Sequence, residues 1–390
     1  MSMTGHSLVI NNNPTEMNEE LLYAMALARL CSYYPSLSMG LYRQLGSAKE
    51  VFLQRRNLNE LPSSPSAKVI QLLSNWDEAL TRAEQEWEFA NKHGIKVLIP
   101  SMEDYPIRLN ECEDAPLVLY YKGNASLNAL HTVSVVGTRH CTIYGHDVIR
   151  NLIGQLRYLC PDILVLSGLA YGVDIEAHRQ SLQNGLKTVG VLAHGLDRLY
   201  PFAHRNTAKE MVNSGGLLTE FMTGTNADKM NFVRRNRIVA GMSDALILVE
   251  SAEKGGGLIS AEMANAYNRE VMAVPGPVNA PYSKGCNELI KTNGARLITC
   301  ADDLIAYMGW EGAAEREKAQ VAGIERSLFN NLSDDEALVV GLMKEEGDML
   351  AGTIAMKTNR AMGEVAAILF GLEMKGVIKL QAGGLYHLLS

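Results

Sequence analysis

The segment KMNFVRRNR, residues 229–237, combines positive charge with one aromatic ring. Its candidate ligand-binding side chains are Lys229, Phe232, Arg234, Arg235, Asn236 and Arg237. Basic residues interleaved with a ring suit single-stranded nucleic acid, because bases stack on the ring while the cations follow the phosphates. The alternative is a core position for Phe232 and solvated or paired positions for the arginines.

Helical geometry limits how many of these arginines can meet one ligand. If residues 230–240 form a helix, Arg234 and Arg237 share a face and Arg235 points elsewhere. We therefore expect one or two of the three to contact the ligand. Asn236 is expected to form a structural hydrogen bond.

A second candidate stands directly after the apolar run TVSVV, where the chain reads Gly137-Thr138-Arg139. A guanidinium can form two parallel hydrogen bonds to a phosphate and can stack on a base. The alternative role for Arg139 is a structural ion pair, with Asp174 as a candidate partner. We expect a ligand contact from this tripeptide.

Glycine follows almost every apolar run of the central sequence. Examples are Ser167-Gly168 after ILVL and Gly256-Gly257 after ALILVE. Glycine lets backbone approach a ligand closely, and free amides at a helix start favour anions. The alternative is a set of tight turns, but so many glycines at strand ends favour a phosphate-binding rim.

Other chemistries find less support in the sequence. GTRHCTIYG does not give the dinucleotide fingerprint GxGxxG, and GxxxxGK[ST] is absent. Histidines 178, 194 and 204 have no metal-ligand spacing, and His178 is expected to be an ordinary helix residue. The carboxylates nearest the strand ends, Glu220, Glu250 and Glu262, could act as acid and base or could pair with arginines.

The elements that must position these residues alternate between strand and helix from residue 131 to 309. Strands rich in valine, isoleucine and leucine are typical of a parallel sheet that is buried on both faces. Intervening segments such as DIEAHRQSLQNG are long enough for crossover helices. The pattern predicts an α/β fold with a doubly wound, mostly parallel sheet, whose ligands bind at the carboxyl ends of the strands.

Composition indicates a folded protein whose surface as a whole is not basic, as non-specific binding of nucleic acid would require. The chain has 390 residues and a formal net charge of -7, so any basic site must be local. Its six cysteines show no CxxC, which favours reduced thiols and a cytoplasmic location. No apolar run approaches the ~20 residues of a membrane helix. The start of the chain lacks the pattern of a signal peptide.

Four regions are predicted along the chain. Residues 1–95 form a helical domain, and residues 96–310 form the extended Rossmann-like domain. Residues 311–329 are a charged linker. Residues 330–390 are predicted to form three helices followed by a hairpin that turns at Gly383-Gly384, an order typical of a winged helix. Ser333 and Glu336 are expected to form a capping box at the start of the first of these helices.

The central motifs resemble the DNA-processing protein A (DprA/Smf) family. The resemblance rests on GTR at 137, SGLAYGVD at 167, GLDRLYP at 195, FVRRNRI at 232, GGGLISA at 255, REVMAVPG at 269 and GCNELIKTNGA at 285. These seven motifs occur in order across residues of about 96 to 309, which makes a chance match improbable.

The resemblance implies a Rossmann-like domain that binds single-stranded DNA at its strand ends and forms a homodimer. It implies protection of incoming DNA during natural transformation and loading of the RecA recombinase. No catalytic residue, cofactor, metal or membrane is implied. The implied DNA-binding residues are Gly137, Thr138, Arg139, Ser167, Gly168, Lys229, Phe232, Gly256 and Gly257, with RNR at 235–237 as the most recognisable stretch.

Three departures from the family pattern bear on function. Gly255-Gly256-Gly257 replaces the usual Ser-Gly-Ser, which removes two hydroxyls. The N-terminal region reads as a degenerate SAM or helix-hairpin-helix-like domain without the usual glycine turn. Residues 330–390 carry 5 Lys/Arg and 8 Asp/Glu, so this module is expected to bind a partner or to have a regulatory role rather than to read DNA.

An enzyme is the alternative to a DNA-binding protein. Nucleotide phosphoribohydrolases of related fold use the glutamate of a GGxGTxxE turn. GGGLISAE places Glu262 at the equivalent distance, although Leu258-Ile259 replaces the inner Gly-Thr pair.

Overall fold

The computed structural model describes residues 18–56, 71, 73–310, 332–375, 377–380 and 384–388. The chain divides into an N-terminal unit, Met1–Glu311, and a C-terminal unit, Gly312–Ser390. Within the described residues, no helix has the length and apolar character needed to cross a membrane. The predicted linker 311–329 lies outside the described residues.

The N-terminal unit begins with helices that have clear local start and stop signals. They are α1 (Glu19–Leu30), α2 (Pro35–Leu45), α3 (Ala48–Leu53) and α4 (Trp76–Lys92). Asn18 caps α1 by accepting a hydrogen bond from the Glu20 amide, and Ser47 caps α3 in the same way. Gly46 ends α2 in the left-handed region at φ +83°. Helix α1 packs against α3 and α4.

A nine-stranded sheet follows, in the order β1-β2-β6-β5-β4-β3-β7-β8-β9. The strands are β1 (Lys96–Leu98), β2 (Leu119–Gly123), β3 (Thr132–Val136), β4 (Leu164–Ser167), β5 (Lys187–Val191), β6 (Gly215–Thr219), β7 (Ala245–Leu248), β8 (Glu270–Ala273) and β9 (Arg296–Leu297). β2 runs antiparallel to both its neighbours, β1 and β6, whereas β3 to β9 are all parallel to one another. The predicted doubly wound, mostly parallel sheet is confirmed.

Helices connect these strands and cover both faces. They are α5 (Ile107–Asn110), α6 (Ile143–Leu159), α7 (Val173–Gln183), α8 (Arg205–Ser214), α9 (Lys229–Gly241), α10 (Gly256–Ala266), α11 (Lys284–Lys291) and α12 (Ala301–Met308). Alternate strand residues enter different cores: Leu164 and Leu166 join the cluster that includes α1, whereas Val165 joins the cluster that includes α6. Both faces are therefore buried, which explains the uninterrupted apolar strands.

The strand order reverses between β3 and β7. From β3 the chain builds outward through β4, β5 and β6, and α9 then returns it to place β7 on the other side of β3. Val133 pairs with Ala245, and Val136 pairs with Leu248. Loops at the carboxyl ends of these two strands separate to opposite faces, which opens a crevice for ligands.

The C-terminal unit has its own apolar core. It comprises α13 (Asp334–Glu346), β10 (Met349–Leu350), α14 (Ala351–Thr358), α15 (Met362–Met374), β11 (Ile378–Leu380) and β12 (Leu385–Leu388). The expected capping box of Ser333 and Glu336 is confirmed. β11 and β12 pair antiparallel, and β10 joins β12. Gly383 of the expected turn lies outside the described residues, and the assignment as a winged helix stays a prediction.

Candidate nucleic-acid interface

The loops at the switch point approach each other so closely that glycine is required. A Cβ on Gly137, directly after β3, would stand 2.6 Å from Val173 Cγ2 and 2.8 Å from the Glu250 carbonyl oxygen. A Cβ on Gly257, in the first turn of α10, would stand 2.6 Å from Leu248 Cδ1 and 3.4 Å from Gly137 Cα. The predicted glycines after β3 and β7 therefore lie together. Gly256 beside them is exposed, with no heavy atom within 4 Å of an added Cβ.

Backbone hydrogen bonds fix the loop that presents Arg139. The Thr138 amide donates to the Glu250 carbonyl at 2.8 Å, and the Thr138 carbonyl accepts from the Val173 amide at 3.1 Å. Gly172 has φ +78°, and a Cβ there would collide with the Thr138 carbonyl oxygen. Thr138 is thus held between the ends of β7 and the start of α7, while Arg139 next to it is exposed.

Arg139 and Phe232 form the centre of an exposed cation–aromatic platform. The Arg139 guanidinium carbon lies 4.9 Å from the centroid of the Phe232 ring. The Tyr200 ring, 47% exposed, lies 5.9 Å from Phe232. The half-buried Phe232 ring joins the loop after β3 to α9. A base could stack on these rings while a phosphate meets the guanidinium.

The loops after β4 and β5 extend this platform with residues that the sequence analysis did not select. Tyr171 is 47% exposed and meets His204 edge-on, with 4.8 Å between the ring centroids. Phe202 is 71% exposed, and the Arg205 guanidinium lies 5.7 Å from its ring. The segment that contains Tyr200, Phe202 and Arg205 mixes rings and cations just as residues 229–237 do. The same compositional signal would therefore have found it.

Arg235 does not reach the platform surface, because it is buried behind Phe232. It is 4% exposed, and its Nη1 donates to the carbonyl oxygens of Gly168 and Val191 at the ends of β4 and β5. A Cβ on Gly168 would collide with the guanidinium. Burial lowers the pKa of Arg235 to about 10, and the nearby Asp174 carboxylate opposes this shift. Arg235 therefore ties strand ends together.

Arg234 and Arg237 share a helix face, as predicted, and both approach Glu220 at the end of β6. Arg237 is 3% exposed and donates to Glu220 Oε2 at 2.5 Å and to the Asp114 carbonyl at 2.6 Å. Arg234 Nη2 lies 3.7 Å from the same carboxylate oxygen. Glu220 thus neutralises part of the positive charge of α9, so the basic segment is less basic at the surface than its sequence indicates.

The remaining predicted residues divide between surface and interior. Lys229 is exposed at the start of α9. Ser167 is fully buried, and its hydroxyl donates to the Val135 carbonyl at 2.6 Å. Asn236 Oδ1 accepts a hydrogen bond from Arg235 Nε at 3.3 Å, in line with its expected structural role. In the conformation described, the side chains of Ser167, Arg235 and Arg237 are occupied by protein groups and do not face a ligand.

The alternative partner proposed for Arg139 has a different role. Throughout the described parts of the chain, no ion pair joins Arg139 to Asp174. Asp174 is buried next to Ser167 and Gly168. Burial raises the pKa of Asp174, and the Arg235 guanidinium opposes this rise. Asp174 is therefore the counter-charge of the buried Arg235, which leaves Arg139 available to a ligand.

The histidines of this domain support the loops. His178 is buried, and its Nδ1 lies 2.7 Å from Thr188 Oγ1, which itself donates to the Val165 carbonyl. His194 Nε2 accepts from the Tyr200 amide at 3.1 Å, so His194 orients the loop that carries Tyr200. Burial lowers the pKa of both histidines, which keeps them neutral near pH 7. The described residues contain no group of His, Cys, Asp and Glu that could hold a metal.

The carboxylates at the strand ends are mostly engaged. Glu250 is buried and accepts hydrogen bonds from the Thr142 amide and hydroxyl at 2.9 and 2.7 Å. These bonds stabilise the start of α6. Glu262 is exposed on α10.

A doubly wound α/β domain with a cation–aromatic platform at its switch point defines a Rossmann-like protein whose exposed edge suits phosphates and bases. A family model described as DNA recombination-mediator protein A matches residues 96–309 of this chain. The match covers more than half of the sequence and the whole nine-stranded sheet. The chain belongs to the family of DNA recombination-mediator protein A, DprA/Smf.

Individual relatives agree with this assignment. The DNA processing protein DprA of Streptococcus pneumoniae is 39% identical over 202 residues, which cover 52% of this chain and 70% of that protein. Its X-ray structure superposes with a TM-score of 0.55 at 31% identity and covers 71% of this chain and 97% of that one. DNA processing protein A of Helicobacter pylori, described for its single-stranded DNA binding mode, gives a TM-score of 0.50 at 28% identity, covering 55% and 95% of the two chains.

Proposed function

We propose that this chain is a cytoplasmic recombination mediator that binds single-stranded DNA at the platform of Arg139, Phe232 and Tyr200. The observation that carries the proposal is the exposed Arg139 guanidinium beside Phe232 at the switch point, 4.9 Å from the ring centroid. Stacking needs unpaired bases, so the platform favours single strands over duplexes. Gly137 and Gly256 would let the phosphate backbone approach the loop that carries Thr138 and the amides at the start of α10.

The biological setting follows from this preference. A protein that covers single strands would protect incoming DNA during natural transformation and would deliver it to the RecA recombinase. The relatives are described as DNA processing proteins, and the binding of single-stranded DNA is described for the Helicobacter pylori protein. We extend both properties to this chain.

The test compares a fluorescent single strand of about 30 nucleotides with a duplex of equal length at several salt concentrations. We expect preference for the single strand and a steep loss of affinity with salt. Arg139→Ala and Phe232→Leu should each weaken binding about tenfold or more, since one stacked base contributes roughly 1–3 kcal/mol.

Arg157→Ala is the matched control. Arg157 is exposed in the last turn of α6, and a crossover helix returns to the amino edge of the sheet, opposite the platform. This variant should bind like the wild type. Equal, weak binding of both DNAs with no effect of Arg139→Ala would refute the platform as a DNA site.

The proposed mediator has no catalytic activity of its own. The alternative enzyme would use Glu262 to cleave a nucleoside monophosphate. Purified protein should release no base from such substrates. Turnover that disappears in Glu262→Gln would establish the phosphoribohydrolase alternative.

We also propose homodimerisation through the Rossmann-like domain, because two aligned platforms on one strand raise avidity. Light scattering at micromolar concentration should give twice the chain mass of 42.7 kDa. A strictly monomeric mass, retained when single strands are added, would refute the dimer.

The C-terminal unit is proposed to be a winged helix that binds a protein rather than DNA. Its α15 exposes apolar side chains: Met362 is 54%, Phe370 66% and Met374 74% exposed. Phe370 follows Met362 by eight residues and Met374 follows Phe370 by four, so the three form one broad stripe along the helix. Phe370→Asp should reduce RecA loading onto bound strands and leave the affinity for single strands unchanged. Unchanged loading would exclude this stripe as the RecA contact.

A further inference from the structure

A cavity of about 550 Å³ lies on the side of α9 away from the platform. Its walls come from the turn after α1, from α4, from β2 and from the loop between β6 and α9, all within the N-terminal unit. This volume lies in the range of pockets for nucleotide-sized ligands, which is about 300–1,000 Å³. The residues used below are Arg29, Tyr33, Tyr120, Glu220, Phe221 and Arg234.

Two polar groups line this cavity without protein partners. Tyr120 is 2% exposed, and none of the described residues offers its hydroxyl a hydrogen bond. Glu220 uses Oε2 for Arg237, whereas its Oε1 is buried and lacks a partner within the described chain. Burial raises the pKa of Tyr120 well above its ordinary value, so the hydroxyl remains a donor. Both atoms are closed to solvent in the described conformation, so a ligand with a donor and an acceptor would reach them only by displacing the side chains that cover them.

Rings and cations occupy the mouth of the same cavity. The Arg234 guanidinium lies 5.2 Å from the Phe221 ring centroid and 5.9 Å from that of Tyr33. Tyr33 is 81% exposed, and Arg29 is exposed one turn earlier, at the end of α1. An exposed ring above a guanidinium is a stacking surface for a planar base, and a second arginine at the rim can meet a phosphate.

We propose that this cavity is a nucleotide subsite. The base stacks on Tyr33 and Arg234, its polar edge meets Tyr120 and Glu220, and its phosphate lies toward Arg29. Two sources present this chemistry: a nucleotide of the strand bound at the platform, or a free mononucleotide. The first source rests on the proposed function, and the second does not.

The position of α9 supports the strand as the source. Arg234 faces the cavity, while its neighbour Phe232 belongs to the platform. The two sites therefore flank one helix, about 10 Å across. A strand that leaves the platform needs only a few nucleotides to pass the helix and enter the cavity. Strands longer than the platform itself would gain affinity there.

The experiment uses the full chain with oligodeoxyadenylates of about 6 and about 20 nucleotides and with deoxyadenosine monophosphate. Tyr33→Ala removes the exposed ring, and Tyr120→Phe removes one hydroxyl while preserving the buried ring. Tyr158→Ala is the control, because Tyr158 is 83% exposed but lies on α6, away from the cavity. Affinities come from fluorescence anisotropy and isothermal titration calorimetry.

We expect Tyr33→Ala to weaken binding of the long strand about tenfold, Tyr120→Phe to weaken it less, and Tyr158→Ala to leave it unchanged. The affinity for the short strand, which is held at the platform alone, should be unchanged by all three substitutions. If only the monophosphate loses affinity in Tyr33→Ala, the subsite serves free nucleotides. If neither ligand is affected by Tyr33→Ala and Tyr120→Phe, the proposal is overturned.

Arg139→Ala separates this inference from the proposed function. Loss of short-strand binding in Arg139→Ala supports the platform whatever the cavity does. If Arg139→Ala leaves the affinity for the short strand unchanged while Tyr33→Ala weakens the affinity for the monophosphate, the platform is refuted and the nucleotide subsite is retained.

Discussion

Replacement of Arg235 by methionine should damage stability far more than it damages a DNA contact. Methionine keeps much of the side-chain length but removes the guanidinium that donates to the Gly168 and Val191 carbonyls. Hydrogen bonds to a charged group contribute about 1.5–3 kcal/mol each. The change also removes the positive charge that partly offsets the burial of the Asp174 carboxylate. We expect the unfolding free energy to fall by about 3–5 kcal/mol.

Tryptophan fluorescence during urea unfolding measures this loss of stability in the N-terminal unit, which contains Arg235. The three tryptophans, at 76, 87 and 310, all lie in the N-terminal unit, so the signal is insensitive to the C-terminal unit. With a slope of about 3 kcal/mol/M, the midpoint should move down by about 1 to 2 M urea. Arg139→Ala is the matched control, since its side chain is exposed and its midpoint should stay within the error.

A double variant tests the assigned partner. Asp174→Asn should destabilise the wild type, but in the Arg235→Met background it should restore part of the loss, because the unpaired carboxylate is removed. A wild-type midpoint for Arg235→Met, combined with lost affinity for single strands, would refute the structural role. Arg235 would then be a direct DNA contact.

Three further outcomes follow from other sites. Burial lowers the pKa of His178 to about 3 from an ordinary 6.5, so the unfolded chain takes up the proton first. The contribution of His178 to stability is complete well above pH 6.5 and should fall by about 2 kcal/mol by pH 5. Urea midpoints in His178→Gln should therefore fall less over this range than in the wild type, with the remaining fall due to the other buried histidines, whose pKa values are also lowered. Gly172→Ala, at φ +78° against the Thr138 carbonyl, should lower both the urea midpoint and the affinity for single strands; unchanged affinity would mean that the Arg139 loop tolerates displacement. If Arg139 meets one phosphate, Arg139→Ala should reduce the slope of log affinity against log salt by about 0.7, and an unchanged slope would exclude a phosphate contact.

Much of the central fold was readable from the sequence because its signals are local. Apolar runs located the strands, and glycine marked their carboxyl ends at Gly137 and Gly257. The requirement for glycine has a steric reason that any chain would share, since a Cβ at Gly257 would stand 2.6 Å from Leu248 Cδ1. The exposed Arg139 in this rim was likewise predicted from its place after a strand.

The burial of the arginines of α9 could not be read in the same way. Helical periodicity places Arg235 on a different face from Arg234 and Arg237, but it does not say which face meets the sheet. Glu86 illustrates the same limit: it accepts hydrogen bonds from the Thr223 amide, 137 residues away, at 3.0 Å. Such contacts depend on how the elements pack, and no short segment encodes them.

The sequence by itself determined the order of strands and helices, the glycine-lined strand ends and the family, because each depends on residue type and spacing along the chain. Only the tertiary structure decided which cations face solvent. Arg139 and Arg235 are the same residue type, yet one stands beside Phe232 at the surface and the other lies behind that ring against strand-end carbonyls. The physical reason is that exposure and local dielectric are set by neighbours from distant parts of the chain, which meet only when the sheet is assembled.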